Sequence, residues 1–209
     1  MASAPEFSRD EVESAFRHYF LTGPVCEDWV AWSQLFTADA TYHDHFWGTF
    51  HGPAEIQRFL EGTMSFASHV YSPLLWYNID GSRIVYKVVN RADNPEPGGE
   101  HFEFPSLQVI QYAGDGKWAS EDDWWTVQEM KLFNQRYAAA RERAGDKARD
   151  PLSRLDWGSD VDWARPPAGH ETRPSWVGKD VPPILNMATM DVGTRDPRPE
   201  STRRPQSLF

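Results

Sequence analysis

The sequence predicts an α+β domain, with three helices packed on a curved antiparallel sheet and an extended C-terminal arm behind it. Three observations predict this. Apolar residues recur at helical spacing through the first third of the chain. Alternating runs rich in aromatic and β-branched residues, punctuated by glycine, fill the middle. Beyond about Gly145 the periodicity vanishes, and nine of the sixteen prolines lie there.

Ser8 with Glu11 has the spacing of a capping box, and Val12, Ala15, Phe16, Tyr19 and Phe20 behind it fall on one helical stripe. Gly23–Pro24 is expected to end that helix. Asp28 opens a short second helix carrying Trp29, Trp32, Leu35 and Phe36 on one side. The run "ATYHDHFWGTFHG" reads as a strand that turns near Gly48. Pro53 sits at the first position of a third helix, whose buried stripe is Ile56, Phe59, Leu60 and Met64. Two hairpins follow, one turning at Gly81 and one at "AGDG", with "ADNPEPGG" as the longer loop between them. A helix over about 128–143 closes the domain, set at residues 1–145. The segment 146–209 is Pro-rich yet carries Trp157, Trp163, Trp176, Ile184, Leu185, Met187 and Met190. A free linker is poor in aromatics, so this arm is expected to dock on its own domain or a neighbouring subunit.

Composition excludes several classes of function. The net charge of −10 argues against nucleic acid as a partner, and Arg203–Arg204 is too small a basic cluster to reverse it. No run approaches the ~20 apolar residues of a membrane span. The N-terminus lacks the pattern of a signal peptide, and Cys26 is alone, so a reducing cytoplasm is the expected compartment. Ten tryptophans point to a bulky-ligand cavity, a subunit interface, or both. No P-loop or G-x-S-x-G elbow supports a nucleotide or serine-hydrolase reading. His43, His45 and His51 do not form a metal-binding pattern, and no cofactor is expected.

The segment "EDWVAWSQLFTADATYHDHFWGTFHGPAEIQRFL" resembles the D-W-x-x-x-x-x-L-F-x-x-D-A-x-Y … G-x-x-x-I-x-x-F signature of the nuclear-transport-factor-2-like (SnoaL-like) superfamily. The resemblance covers about 8–145 and implies a cone-shaped fold with an apolar pocket. Members include ketosteroid isomerases, scytalone dehydratase-like enzymes, polyketide cyclases, epoxide hydrolases and non-catalytic binders. A shared fold does not fix the reaction.

By resemblance to the isomerases, Asp44 matches the general base and Tyr19 an oxyanion-donating tyrosine. Strand alternation puts Tyr42 and Phe46 on the face of Asp44. His69 is similar in position to the catalytic histidine of the dehydratase-like members, but Val25 stands near the place of the aspartate that orients it there; Glu27 or Asp28 is the available substitute. Gln108 sits where the isomerases carry an acidic oxyanion donor. The last strand, "WASEDDWWTV", puts Glu121, Asp123 and Trp125 on one face, expected to look into the pocket opposite Asp44. Two carboxylates in one apolar pocket push their pKa values apart and supply an acid and a base. The contrary reading is a solvated edge strand kept charged against aggregation. Arg91 is the candidate for an epoxide-hydrolase-type Asp–Arg–Asp arrangement.

The expected function is therefore a cofactor-independent acid–base enzyme of the isomerase, dehydratase, lyase or cyclase type. Its substrate would be a bulky, apolar, cyclic or aromatic small molecule. Asp44 or Asp123 is the expected base and His69 a second acid–base group. Tyr19 and Gln108 would stabilise negative charge, and Trp29, Trp32, Trp76, Tyr86 and Trp125 would shape the wall. A homodimer or homotrimer is the expected assembly. The alternatives are a binding module using the same cavity and a scaffold acting through its tail.

Overall fold

The computed structural model describes residues 7–158 and 161–182. The residues Ile184, Leu185, Met187, Met190 and Arg203–Arg204 lie outside the described residues. Ser8 opens α1 (Arg9–Phe20) by accepting a hydrogen bond from the Glu11 N–H at 3.2 Å. Val12, Phe16, Tyr19 and Phe20 are its buried stripe.

The chain does not break at Gly23–Pro24. It widens into a π-helical turn, Leu21–Val25, with Pro24 inside. Proline has no N–H for the normal ladder, and the Cys26 N–H instead reaches the Leu21 carbonyl at 2.9 Å. Gly23 is required there because a Cβ would come within 2.3 Å of the Trp32 ring. Asp28 then caps α2 (Trp29–Ser33), accepting from the Ala31 N–H at 3.0 Å. Phe36, expected on this helix, instead begins β1 (Phe36–Asp44).

The strand β1 turns through 45–47 into β2 (Gly48–His51), and α3 (Gly52–Phe66) follows with Pro53 in its first turn. The two predicted hairpins are β3 (Leu74–Asp80) with β4 (Arg83–Ala92), and β5 (Phe102–Gly114) with β6 (Lys117–Trp125). The last helix is α4 (Val127–Ala144). Among the described residues no helix is long and apolar enough to cross a membrane.

The sheet has the order β2-β1-β6-β5-β4-β3. It is mixed rather than purely antiparallel, because β1 runs parallel to β6. No tight turn joins those two strands, so hairpin geometry does not dictate their relative direction. The pairing has a consequence for function: β6 lies inside the sheet between β1 and β5, so the edge-strand explanation of its acidic run does not apply.

The main core joins α1, α2 and α3 to one face of the curved sheet, through Phe16, Tyr19, Trp32, Tyr42, Phe59, Tyr86 and Trp118 among others. A second cluster joins Phe133 and Tyr137 of α4 to Val70, Ala92 and Phe104. Beyond α4 the arm runs back over the domain. Arg154 pairs with Glu27 at 2.7 Å, both side chains buried, and Trp157 enters the main core. Trp163 stands edge-on to Phe16 and Phe20. Ser175 accepts from the Trp29 N–H at 3.2 Å, and Lys179 meets Glu61 at 2.9 Å.

Candidate functional site

Strand alternation brings one set of side chains to the helix-covered face of the sheet: Tyr42 and Asp44 from β1, Tyr86 from β4, Ser106 and Gln108 from β5, Glu121 and Asp123 from β6. All of these except Ser106 line a cavity of two chambers. The inner chamber, of about 100 Å³, lies among Tyr19, Trp29, Trp32, Tyr86, Gln108 and Glu121. The outer one, of about 370 Å³, lies among Asp44, Trp47, Phe59, His69, Trp125 and Phe133. Tyr42, Leu60, Met64, Asn90 and Asp123 line both, so Asp123 stands where the chambers meet.

Each carboxylate is held by donors of this chain. Glu121 accepts from the Tyr19 hydroxyl at 2.5 Å and the Tyr86 hydroxyl at 3.2 Å. Asp123 accepts from Ser106 at 2.7 Å, the Gln108 amide at 3.0 Å and Tyr42 at 3.3 Å. Asp44 closes the β1–β2 turn: its Oδ1 accepts from the N–H groups of Phe46 at 2.8 Å and Trp47 at 2.6 Å, and its Oδ2 from the Trp125 indole at 3.1 Å.

Burial dominates the electrostatics. It raises the pKa of Asp44 to about 7, helped by the negative charge of Asp123 and opposed by the three donors just named. Burial also raises Asp123, against its bonds from Ser106, Gln108 and Tyr42. Glu121 rises for the same reason, against its two tyrosine hydroxyls. His69 moves the other way. Its ring lies against Tyr137 at 4.0 Å and Phe133 at 5.7 Å, and burial lowers its pKa to about 4. The imidazole is therefore neutral near pH 7.

The structure redraws several expected roles. Tyr19 and Gln108 do reach the cavity, but the Tyr19 hydroxyl is committed to Glu121 and the Gln108 amide N–H groups to Asp123 and Ser106. As arranged here they fix carboxylates rather than offer free donors to an oxyanion. Phe46 lies in the turn past the end of β1, where alternation stops, and packs on Trp47 and Trp125; Trp47 lines the outer chamber in its place. Trp76 is 46% exposed, because β3 slips register between Leu74 and Trp76 and the indole points away from the core. Trp29, Trp32, Tyr42, Tyr86, Glu121 and Trp125 all line the cavity.

Neither candidate partner for His69 serves it. Glu27 is paired with Arg154, and Asp28 caps α2. Arg91 bonds Glu103 at 2.9 Å and Asp156 at 3.4 Å and does not line either chamber, so it supplies no Asp–Arg–Asp arrangement. His45 stacks on Trp124, with Asp122 at 3.6 Å, on the side of the sheet away from Asp123. Trp47, Asn90 and Thr63 are cavity residues that sequence reasoning missed. Only β4 alternation, which sets Asn90 in line with Tyr86 and Val88, could have pointed to one of them.

The sequence model of the SnoaL-like domain matches residues 14–121. No curated protein matches the chain. The fold is similar to that of a Shewanella putrefaciens protein described as a SnoaL-like polyketide cyclase, at 14% identity and a TM-score of 0.51, covering 64% of this chain and 88% of that one. It is also similar to an LEH-like epoxide hydrolase of M. tuberculosis, at 17% identity and a TM-score of 0.50, covering 64% and 91%. At such identities the likeness speaks for the fold alone, and the family match rests on the residues of α1 through β6. The chain belongs to the SnoaL-like domain family.

Proposed function

We propose that this protein is an acid–base enzyme acting on an apolar cyclic or aromatic small molecule held in the outer chamber. The observation that carries this reading is the pair Asp44 and Asp123, neighbours across β1 and β6 in a cavity walled by aromatic rings. A desolvated carboxylate with a pKa near 7 is a far stronger base than one in water, and it still ionises at working pH. In this reading Asp44 removes a proton next to an activating group of the substrate. Asp123, at the junction of the chambers, holds or returns a proton, and the neutral His69 accepts a hydrogen bond at the far wall. Among the described residues no Lys or Arg lines the two chambers, so in this reading the electron pair left on carbon is taken up by the substrate's own carbonyl or ring. The outcome would be isomerisation, elimination, or lyase or cyclase chemistry. The polyketide cyclase and epoxide hydrolase among the similar structures are compatible with an enzymatic role for this fold.

The test needs no foreknowledge of the substrate. Cyclic ketones and related carbon acids are incubated with the protein in deuterated buffer, and exchange at the activated C–H is followed by NMR. Asp44→Asn should lower that exchange by ~10² or more with the thermal melt still cooperative. Near-normal exchange in the variant removes Asp44 from the mechanism.

A second reading, a binding module without turnover, is favoured by one observation: Asp44 already accepts two backbone N–H groups, as a structural carboxylate does. It predicts tight ligands, no exchange, and only a modest change of affinity in Asp44→Asn.

A further inference from the structure

We infer that the cavity takes a ligand with a cationic nitrogen, its ammonium head in the inner chamber and its apolar body in the outer one. This shares with the acid–base reading the premise that the cavity is the functional site, and it does not require turnover.

The charge inventory comes first. Glu121 lines the inner chamber, Asp44 the outer and Asp123 both, and among the described residues no Lys or Arg lines either. A fourth lining carboxylate, Glu27, is already balanced by Arg154 at 2.7 Å. Where these groups are ionised, a carboxylate or phosphate ligand meets like charge in a poorly solvated space, and a neutral ligand leaves that charge uncompensated. A cation compensates it.

The second observation is independent of charge. Gln108 is 5% exposed, lines the inner chamber, and its Oε1 has no partner. Its amide nitrogen is fixed on the Asp123 carboxylate and on Ser106, and turning the amide over would face two acceptors toward each other. The chamber thus presents a buried acceptor that asks its occupant for an N–H or O–H donor.

The walls agree with both. The rings of Tyr19, Tyr42, Tyr86 and Trp29 line the inner chamber, and aromatic faces attract ammonium groups. Its volume of about 100 Å³ suits a head of a few heavy atoms. The Trp29 indole N–H is also without a partner, and a hydroxyl or carbonyl next to the nitrogen would complete it. The Trp32 indole N–H, beside Gly23, is likewise without a partner. Proton balance follows simply. Where a cavity carboxyl is protonated in the empty protein, binding an ammonium group forms the ion pair and releases that proton to solvent.

The experiment is calorimetric titration of the full chain with three probes of matched shape: phenethylamine, phenethyl alcohol and phenylacetate. Each is run at about pH 6 and about pH 8 in two buffers of different ionisation enthalpy. The amine should bind ~10-fold or more tightly than the alcohol at the higher pH, with protons released, and phenylacetate should bind weakest. The preference should shrink at the lower pH, where more of the carboxyls keep their protons. Glu121→Gln should lose most of the preference of amine over alcohol. The wild-type selectivity and pH trend stand even if that variant folds poorly. Equal or tighter binding of the alcohol or phenylacetate, or no binding of the amine, overturns the inference. Amine preference without carbon–proton exchange contradicts only the acid–base reading. Exchange of a neutral compound without amine preference contradicts only the present inference.

Discussion

Asp44 and Asp123 hold the same register position on adjacent parallel strands, and both line the outer chamber. The negative charge of Asp123 is the second cause, after burial, of the raised pKa of Asp44. If Asp44 is the base, kcat/KM rises with pH as its proton leaves, with a midpoint near 7. Asp123→Asn removes the like charge, so the rising limb should move to lower pH. A pH–rate profile of the two proteins with any turned-over compound checks this, and an unmoved limb separates the two groups.

The same carboxyl makes the fold lose stability as pH rises from acid to neutral. The pKa of Asp44 is about 7 in the native chain against 3.8 for an ordinary aspartate, so between those values the folded chain holds a proton that the unfolded chain has lost. Stability therefore falls as pH rises through that window, by about 2–4 kcal/mol from this group. Asp44→Asn should flatten the decline, as read from urea unfolding at a series of pH values.

His69 contributes the opposite slope. Its native pKa is about 4 against 6.5, so the unfolded chain binds a proton that the native chain refuses. The stability it allows is present above pH 6.5 and is lost as pH falls toward 4. His69→Phe should unfold less readily than wild type at about pH 5, by about 1–2 kcal/mol, and show no such advantage at about pH 8. Thermal melts at those two values decide it.

The arm is tied down by an ion pair with both partners buried. Arg154 bonds Glu27 at 2.7 Å and the Ser68 carbonyl at 2.9 Å, and Glu27 sits at φ 53°, a left-handed conformation that costs a residue with a side chain. Burial already raises the pKa of Glu27 despite its partner. Arg154→Ala should cost about 3–5 kcal/mol near neutral pH, because it strands a buried charge. The loss should ease at acid pH, where Glu27 can take a proton. A change below ~1 kcal/mol in urea unfolding would mean that the pair contributes little.

Local pattern carried the sequence reading where local physics decides the structure. Ser8 with Glu11, the helical stripe of α1, the turns at Gly81 and "AGDG", and the alternation that faces Asp44, Glu121 and Asp123 inward were all legible. Three features were not. The parallel partnership of β1 and β6 joins residues some eighty positions apart and is chosen by packing. Trp76 and Phe46 fail because alternation is a property of an unbroken strand, and β3 slips register while β1 ends at Asp44. Glu27 and Arg154 meet across 127 residues, and no spacing rule connects them.

The central claim is that Asp44 keeps its proton to about neutral pH inside an aromatic-walled cavity. The direct measurement is a pH titration of its side-chain carboxyl by ¹³C NMR, assigned with Asp44→Asn. A midpoint near 7 agrees with the account. A midpoint in the ordinary range, near 3.8, would mean that solvent reaches the carboxylate, and the acid–base assignment would fall.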